Sequence, residues 1–418
     1  MKKRTIAKTG ATMLTMAMLL NGTTVFAAAG ANYGAIIEGT KTTTFDKYLV
    51  MDSQANVPNA TFTYAVTAGK AKAYDVDGKK FQVLAGVDAD KITMAGVGAG
   101  AEANEIVFKQ GDGSDTHDTT KDSMVKGLEK GKKYALKTAT LNLSEVQFTE
   151  PGVYRYIITE DDTNQQAITN DAALTRVLDV YVEDATGEDG TMKLKIAGYV
   201  LHASEDEITS GDDFGTTGTD PTGKSQGFTN SYDTSDLTLR KQVTGNQASR
   251  DKYFEFTLNI DKAQPNTKYD VVIDDADATS KTNAATIGAN AGQTNVTSIT
   301  TDASGKATQK FYLQHGQQVT VQGIAKDTTY AVKENAEDYK STANTKDTPV
   351  VDTKTGTEAA PVDGTIVSTD LTTGYLNTRA GAIPTGVIMT VAPFAAVTLL
   401  GAAGMVTIKM RKKEDDAE

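Results

Sequence analysis

The sequence lacks two residue types altogether and is poor in a third. It contains no cysteine and no tryptophan, and only 3 of its 418 residues are histidine. Without cysteine the chain has no disulfide, no thiolate ligand for zinc and no internal thioester. The histidines are scattered through the chain and show no metal-ligand spacing. We therefore expect neither a metal site nor a cofactor.

Basic charge is also in short supply. The chain has 42 Lys and Arg residues against 54 Asp and Glu residues, which gives a formal net charge of −12. Part of the basic charge is concentrated near the N-terminus, and the basic residues of the C-terminal tail are balanced by acidic ones. The body between them is therefore strongly acidic, which argues against nucleic acid or an anionic membrane surface as a partner.

The N-terminus has the pattern of a secretory signal. Lys2, Lys3 and Arg4 precede an apolar run at residues 13–20, and small residues follow at 27–29. This order predicts a helical signal peptide over residues 1–29 and export of the remaining chain. An exported protein without disulfides must gain its durability in another way.

Alternation with a period of two dominates the rest of the chain. In "YFEFTLNI", for example, Phe254, Phe256 and Leu258 share one face. Many such segments joined by loops rich in Gly, Asp and Asn predict an all-β fold of immunoglobulin-like β-sandwiches. A loose repeat divides them into two tandem domains at 30–234 and 235–380. The first domain carries long inserts between about residues 86 and 133.

Each domain directs three polar side chains onto an apolar strand face. In "TTTFDKYLV", for example, Lys47 shares its face with Phe45 and Leu49. The six residues are Lys47, Glu160 and Asn230 in the first domain and Lys241, Glu334 and Asn377 in the second.

These three residue types can react with one another when they are buried. Burial lowers the pKa of a lysine and raises that of a glutamate, because a lone buried charge is costly. A neutral amine can attack the asparagine amide, while the acid hydrogen-bonds the carbonyl and moves protons as ammonia leaves. The product is a Lys–Asn isopeptide bond. An ordinary buried ion pair with a hydrogen-bonded Asn is the alternative, and the second triple in the same chain order favours the bond.

The pattern resembles the major backbone pilins of Gram-positive bacteria, of the streptococcal T-antigen type with isopeptide-linkage domains. The resemblance covers nearly the whole chain and is strongest in "SEVQFTEPGVYRYIITEDD", "GFTNSYDTSDLTLRKQVTG" and "IPTGVIMTVAPF". It implies that the lysines and asparagines of both triples are joined, with Glu160 and Glu334 as the catalytic acids. Glu337 lies close to Glu334 in the sequence and competes for the second role.

The C-terminal segment, 381–418, combines a cutting motif with a membrane span. Residues 387–408 are apolar over a length that can cross a bilayer, and basic residues follow on the predicted cytoplasmic side. Before them, Ile383, Pro384, Thr385 and Gly386 resemble a sortase sorting signal cut between Thr385 and Gly386. The common signal has a residue between Pro and Thr. The shortened form resembles that of T-antigen-type pilins and implies a pilus-dedicated sortase.

Lys224, in "DPTGKSQGFTN", is the candidate for the amine that receives Thr385 of a neighbouring subunit. It precedes Asn230 by a few residues, as the resemblance implies for a linking lysine, and the alternative is an ordinary surface lysine. The chain is thus predicted to be a pilus shaft subunit on the cell wall and a sortase substrate, not a turnover enzyme. Its expected partners are identical subunits, the sortase, minor pilins and host ligands.

Two other functions fit parts of the sequence. A surface adhesin attached singly to the wall would have the same domains and tail, with Lys224 unused. A secreted carbohydrate-active or ligand-binding β-protein would need a cleft rich in aromatic residues and paired carboxylates. The lack of tryptophan counts against this second alternative.

Overall fold

The structure is a computed structural model that describes residues 37–76, 79–116, 125, 128–162, 164–188, 190, 193–204, 224–275, 294–344 and 360–381. The predicted signal peptide and the apolar segment 387–408 lie outside these ranges. The described chain is nearly all β, which confirms the predicted fold class, with one 3-10 turn at Ala89–Lys91. None of its described residues form a helix with the length and hydropathy that a bilayer span requires.

The strands up to Tyr232 form two sheets. They are β1 Ile37–Gly39, β2 Thr42–Asp52, β3 Ala60–Ala68, β4 Lys72–Val76, β5 Lys79–Ala85, β6 Thr93–Met94, β7 Glu105–Phe108, β8 Asp115–Thr116, β9 Lys132–Asn142, β10 Gly152–Glu160, β11 Ile168–Thr169, β12 Thr175–Asp184, β13 Leu194–His202 and β14 Gly227–Tyr232. Sheet A has the order β1-β13-β12-β10-β3-β7, with β5 also on β10 and β4 on β5. Sheet B has the order β11-β14-β2-β9-β6, with β8 also on β9.

The strands from Thr234 onward form two further sheets. They are β15 Thr234–Thr244, β16 Phe254–Asp261, β17 Lys268–Asp275, β18 Ser298–Thr300, β19 Ala307–Leu313, β20 Gln317–Ala325, β21 Thr329–Asn335, β22 Lys340–Ala343, β23 Asp363–Thr365 and β24 Leu371–Thr378. Sheet C has the order β18-β17-β20-β15-β24-β22, and sheet D has the order β19-β16-β21-β23.

The predicted alternation explains how each pair of sheets encloses a core. In β16, Phe254, Phe256, Leu258 and Ile260 are buried, while the residues between them are more exposed. They pack with residues of sheet C in one apolar cluster. A second cluster joins the inward faces of sheets A and B. Both cores form because alternate residues of a strand lie on opposite faces of the sheet.

Strand β2 is enclosed on both of its faces. Tyr48 and Val50 lie on the face turned away from the main core, yet both are buried. Val125, Leu128 and Tyr134 cover them in a small separate cluster. The centre of β2 is therefore shielded from water on either side, which matters for the charged residue that it carries.

Candidate functional site

Strand register in sheet B brings Lys47 next to Asn230. Strands β2 and β14 run parallel, with Lys47 opposite Phe228 and Asn230 opposite Leu49. Residues 47 and 49 share a face, so the lysine and the asparagine are diagonal neighbours on the inward side of the sheet. The lysine strand is not the first of its domain, because the short β1 precedes it and pairs with β13.

Sheet C repeats this arrangement. Strands β15 and β24 also run parallel, with Lys241 opposite Tyr375 and Asn377 opposite Val243. The asparagine is again displaced by two residues along the partner strand from the position opposite the lysine. Two separate sheets therefore place a Lys and an Asn in the same relative position.

The glutamates reach these pairs from the facing sheets. Glu160 is the last residue of β10 in sheet A, and Glu334 lies in β21 of sheet D. We refer to Lys47, Glu160 and Asn230 as the first site, and to Lys241, Glu334 and Asn377 as the second site. Each site thus spans the interior between two sheets, with the amine and the amide on one side and the carboxyl on the other.

Glu160 is the centre of the first site. Its Oε2 atom lies 2.5 Å from Lys47 Nζ and accepts a hydrogen bond of 2.6 Å from the Tyr64 hydroxyl. Its Oε1 atom accepts a hydrogen bond of 2.7 Å from Asn230 Nδ2. The side chains of Lys47 and Glu160 are fully buried, at 0% exposure. One carboxyl group therefore contacts both the amine and the amide nitrogen.

The carbonyl oxygen of Asn230 has a different partner from the one expected. The reaction scheme drawn from the sequence has the glutamate on this oxygen. Here the backbone N–H of Asp171 donates to Asn230 Oδ1 over 3.0 Å, and the amide nitrogen is turned toward Glu160. Asn170 Oδ1 also accepts from Asn230 Nδ2, over 3.2 Å. The glutamate is thus placed beside the leaving nitrogen.

The second site has the same centre with fewer contacts around it. Glu334 Oε1 lies 2.5 Å from Lys241 Nζ and accepts from Asn377 Nδ2 over 3.0 Å. Its Oε2 atom accepts from the Ser341 hydroxyl over 2.6 Å. Among the residues that the structure describes, Asn377 Oδ1 is buried without a hydrogen-bond partner. The competing acid, Glu337, contacts Lys252 instead.

Burial shifts the protonation of both lysines. Desolvation lowers the pKa of Lys47 and that of Lys241 to about 8, although Glu160 and Glu334 oppose the shift. The neutral form of the amine is therefore much more populated near neutral pH than in a surface lysine. Burial together with Glu160 raises the pKa of Tyr64 well above its ordinary value, so that its phenol keeps its proton and donates to the carboxyl.

Lys224 lies where the chain crosses from sheet A to sheet B. It forms an isolated antiparallel bridge with His202, and the next residue, Ser225, donates its backbone N–H to Leu201 O over 2.8 Å. Gln226 O then accepts the backbone N–H of Asp46, and β14 begins at the following residue, Gly227. Lys224 itself is partly exposed. The sorting motif, Ile383 to Gly386, lies outside the described residues.

Sequence reasoning missed the residues that surround the six. Tyr64 could have been found, because it alternates with the buried Phe62 in β3. Asp171 and Ser341 carry no such signal, since their roles depend on contacts between distant segments. Within the described part of the chain, no group of three or more His, Cys, Asp or Glu residues is arranged to hold a metal ion.

Two consecutive segments of the chain match different families. Residues 97–233 match the family described as a Spy0128-like isopeptide containing domain. Residues 235–365 match a domain of unknown function, DUF7601. The first match includes Glu160 and Asn230, and the second begins at the strand that carries Lys241.

Similarity to known proteins extends over nearly the whole length. A pilin of Streptococcus pyogenes serotype M1 is 24% identical over 412 residues, which covers 94% of this chain and 98% of that protein. The crystal structure of the major pilin of Streptococcus pyogenes aligns with a TM-score of 0.46 and 21% identity, over 82% of this chain and 99% of the other. The T3.2 major pilin of the same species aligns with a TM-score of 0.45 and 19% identity, over 81% and 100%.

Proposed function

We propose that this chain, a homologue of the streptococcal pilins with an isopeptide-type domain, is the shaft subunit of a cell-surface pilus and carries a Lys–Asn bond at each site. The observation that carries the proposal is the repeated geometry of the two sites. In both, parallel strands offset a lysine and an asparagine by two residues, and a glutamate from the facing sheet contacts both. Such a chain is a structural protein and not a turnover enzyme.

The contacts support a simple reaction at each site. The neutral lysine Nζ attacks the asparagine Cγ and forms the new C–N bond. The glutamate takes the proton that Nζ loses and delivers a proton to Nδ2, which leaves as ammonia. Fixing the amine and the amide on one carboxyl group supplies the orientation that such a reaction needs.

Intact mass tests the two bonds directly. The body of the chain, produced without signal and tail, should be lighter than its sequence mass by two molecules of ammonia. The substitutions Glu160→Ala and Glu334→Ala should each restore one ammonia, because each removes the proton carrier of one site. Glu337→Ala is the matched control for Glu334 and should keep the full deficit. A wild-type protein with the unreduced sequence mass contradicts the proposal.

The sorting motif and Lys224 supply the joints between subunits. We infer that a sortase cuts Thr385 from Gly386 and passes the Thr385 acyl group to Lys224 of the next subunit. The partial exposure of Lys224 suits an acceptor amine. Export by the signal peptide and temporary anchoring by residues 387–408 precede this step.

Polymerisation is tested on the cell surface. Cells that make the chain together with its sortase should yield a ladder of multimers that resist SDS. Lys224→Ala should abolish the ladder, whereas the control Lys193→Ala, at another partly exposed lysine, should leave it unchanged. A single wall-linked band in the wild type would instead identify a singly anchored adhesin. A ladder that persists in Lys224→Ala would assign the joint to another lysine.

A further inference from the structure

The carboxamide of Asn230 is held at both of its polar atoms. Its Oδ1 atom accepts the backbone N–H of Asp171 over 3.0 Å, and its Nδ2 atom contacts Glu160 and Asn170. Asn230 is 1% exposed. In the second site, by contrast, Asn377 Oδ1 has no hydrogen-bond partner among the described residues. The two sites therefore differ at the atom on which negative charge develops when the amine attacks.

A buried ion pair holds the Asp171 N–H in place. The Asp171 carboxylate accepts the Thr229 N–H over 2.8 Å and Arg176 Nη2 over 2.6 Å. Arg176 is 2% exposed, and its Nε atom donates to Gly227 O over 2.8 Å. The turn after β11 is therefore fastened to β14 on either side of Phe228. The position of the N–H relative to Asn230 is fixed by these contacts.

We propose that the backbone N–H of Asp171 is an oxyanion donor for the reaction at the first site, and that the Asp171 carboxylate and Arg176 are positioning residues for it. This rests on the proposed isopeptide bond. When Lys47 Nζ bonds to Asn230 Cγ, the carbonyl π electrons move to Oδ1, where the N–H stabilises the charge. Glu160 carries the proton from Nζ to Nδ2. The C–O double bond then re-forms, the C–Nδ2 bond breaks, and ammonia departs.

The Asp171 carboxylate could affect the reaction rate in two ways, through its negative charge or by holding the N–H in position, and the two predict opposite results. Desolvation lowers the pKa of Lys47, and the negative carboxylate of Asp171 opposes that shift and so favours the protonated amine. Removing that charge alone should therefore leave the reaction as fast as before or faster. Releasing the turn that carries the N–H should slow it. A substitution that keeps an oxygen for the Thr229 N–H and Arg176 but removes the charge separates the two effects, at the loss of the bond that the other carboxylate oxygen accepts from the Ala173 N–H.

Asp171→Ala and Asp171→Asn are the matched variants. The full chain is made by cell-free synthesis, samples are quenched in denaturant over time, and the crosslinked peptides of both sites are quantified by mass spectrometry. Loss of an oxyanion donor costs about 100- to 1,000-fold in rate, so displacing one should slow the first bond by about tenfold or more in Asp171→Ala. Asp171→Asn should react at the wild-type rate or faster. The second bond is the internal reference and should form at the same rate in the wild type and in both variants.

A fold control accompanies the comparison. Asp171→Ala is also made on a Lys47→Ala background, where the first bond cannot form, and its urea unfolding is compared with that of Lys47→Ala alone. If Asp171→Ala does not fold, Arg176→Lys replaces it, because lysine keeps the charge but cannot make all the contacts of arginine. Slowing of the first bond alone in this variant supports the proposal.

Equal first-bond rates in the wild type and in a folded Asp171→Ala or Arg176→Lys variant overturn the assignment. Equal slowing in Asp171→Ala and Asp171→Asn overturns it too, because position would then not be the cause. If neither crosslinked peptide forms in the wild type, the proposed function itself has failed. That result differs from one in which both bonds form in the wild type and the Asp171 variants form the first bond at the wild-type rate.

Discussion

Lys47 and Lys241 are the residues whose surroundings depart most from those of ordinary lysines. Both side chains have 0% exposure, and each Nζ also lies over an aromatic ring, at 4.1 Å from the Phe62 centroid and 4.3 Å from that of Phe254. The ring and the carboxyl favour the ammonium form, yet desolvation outweighs them and lowers each pKa to about 8. Near pH 8, each lysine therefore has a much larger neutral fraction than a surface lysine.

This shift predicts a pH-dependent stability in a protein that cannot form the first bond. In Asn230→Ala, the folded chain releases the Lys47 proton near pH 8, whereas the unfolded chain keeps it up to about 10.5. Between these values the unfolded state binds more protons, so the free energy of unfolding should rise with pH. The gain should be on the order of 3 kcal/mol across the window.

Urea unfolding of Asn230→Ala from pH 7 to 10.5 checks this expectation. The matched control is Asn230→Ala with Lys47→Met, which has no buried amine but keeps the other titrating groups. The difference between the two variants should grow in favour of the lysine protein as the pH rises. Parallel pH profiles would show that Lys47 keeps its proton in the folded state.

At the scale of the strand, parallel pairing between β2 and β14 depends on Gly227. A Cβ atom at this residue would lie 1.7 Å from the backbone oxygen of Asp46, where the two strands begin to pair. Gly227 also has φ of +154°, which side chains rarely adopt. We therefore expect Gly227→Ala to displace β14 and with it Asn230.

Gly131→Ala is the control, because Gly131 has φ of +91° but no atom within 4 Å of its added Cβ. Gly227→Ala should form little of the first bond. In an Asn230→Ala background, where that bond cannot form, Gly227→Ala should lower the free energy of unfolding by about 2 kcal/mol more than Gly131→Ala does. Peptide mapping and urea unfolding measure the two effects. An intact first bond in Gly227→Ala would show that the strands tolerate the displacement.

Alternation along single strands explains why so much of each site was predictable. Lys47, Glu160 and their counterparts lie on apolar strand faces. Because side chains alternate between the two faces of a strand, these faces can be identified from the sequence of one strand without knowing its partner. Strand pairing is different, because it depends on contacts between distant segments. Strands β19 and β20, for instance, flank one short turn but belong to sheets D and C. The Asp171 N–H on Asn230 was unpredictable for the same reason.

At the scale of the molecule, the two bonds would form one continuous covalent path. Tension applied to β2 would cross from Lys47 to Asn230, leave through β14 and enter β15 after the single residue Asp233. In a fibre joined at Lys224, tension would instead reach Asn230 along the backbone, and only the second bond would lie on its path. It would then cross from Lys241 to Asn377 and leave through β24. Asp233 is itself held by Ala167 O and by the backbone N–H of Lys326. Nearly all of both domains would lie outside this path.

Single-molecule pulling on the body of the chain tests that path. With handles before Thr42 and after Thr378, the wild type should extend without unfolding steps, because the chain between each Lys and its Asn is closed into a loop. Such a long loop should also stabilise the fold by about 5 kcal/mol at zero force, by the loop-entropy estimate for a crosslink. Glu160→Ala should add one unfolding step, and Glu334→Ala a different one.

The lengths of those steps make the test specific. The Glu160→Ala step should release the chain between Lys47 and Asn230, and the shorter Glu334→Ala step the chain between Lys241 and Asn377. The double variant should show both, and Glu337→Ala should behave as the wild type. Steps of these lengths in the wild type would mean that tension unzips the sheets and that the strands, not covalent bonds, resist it. Their absence would show that the two crosslinks, and not the pairing of the strands, carry a load applied between β2 and β24.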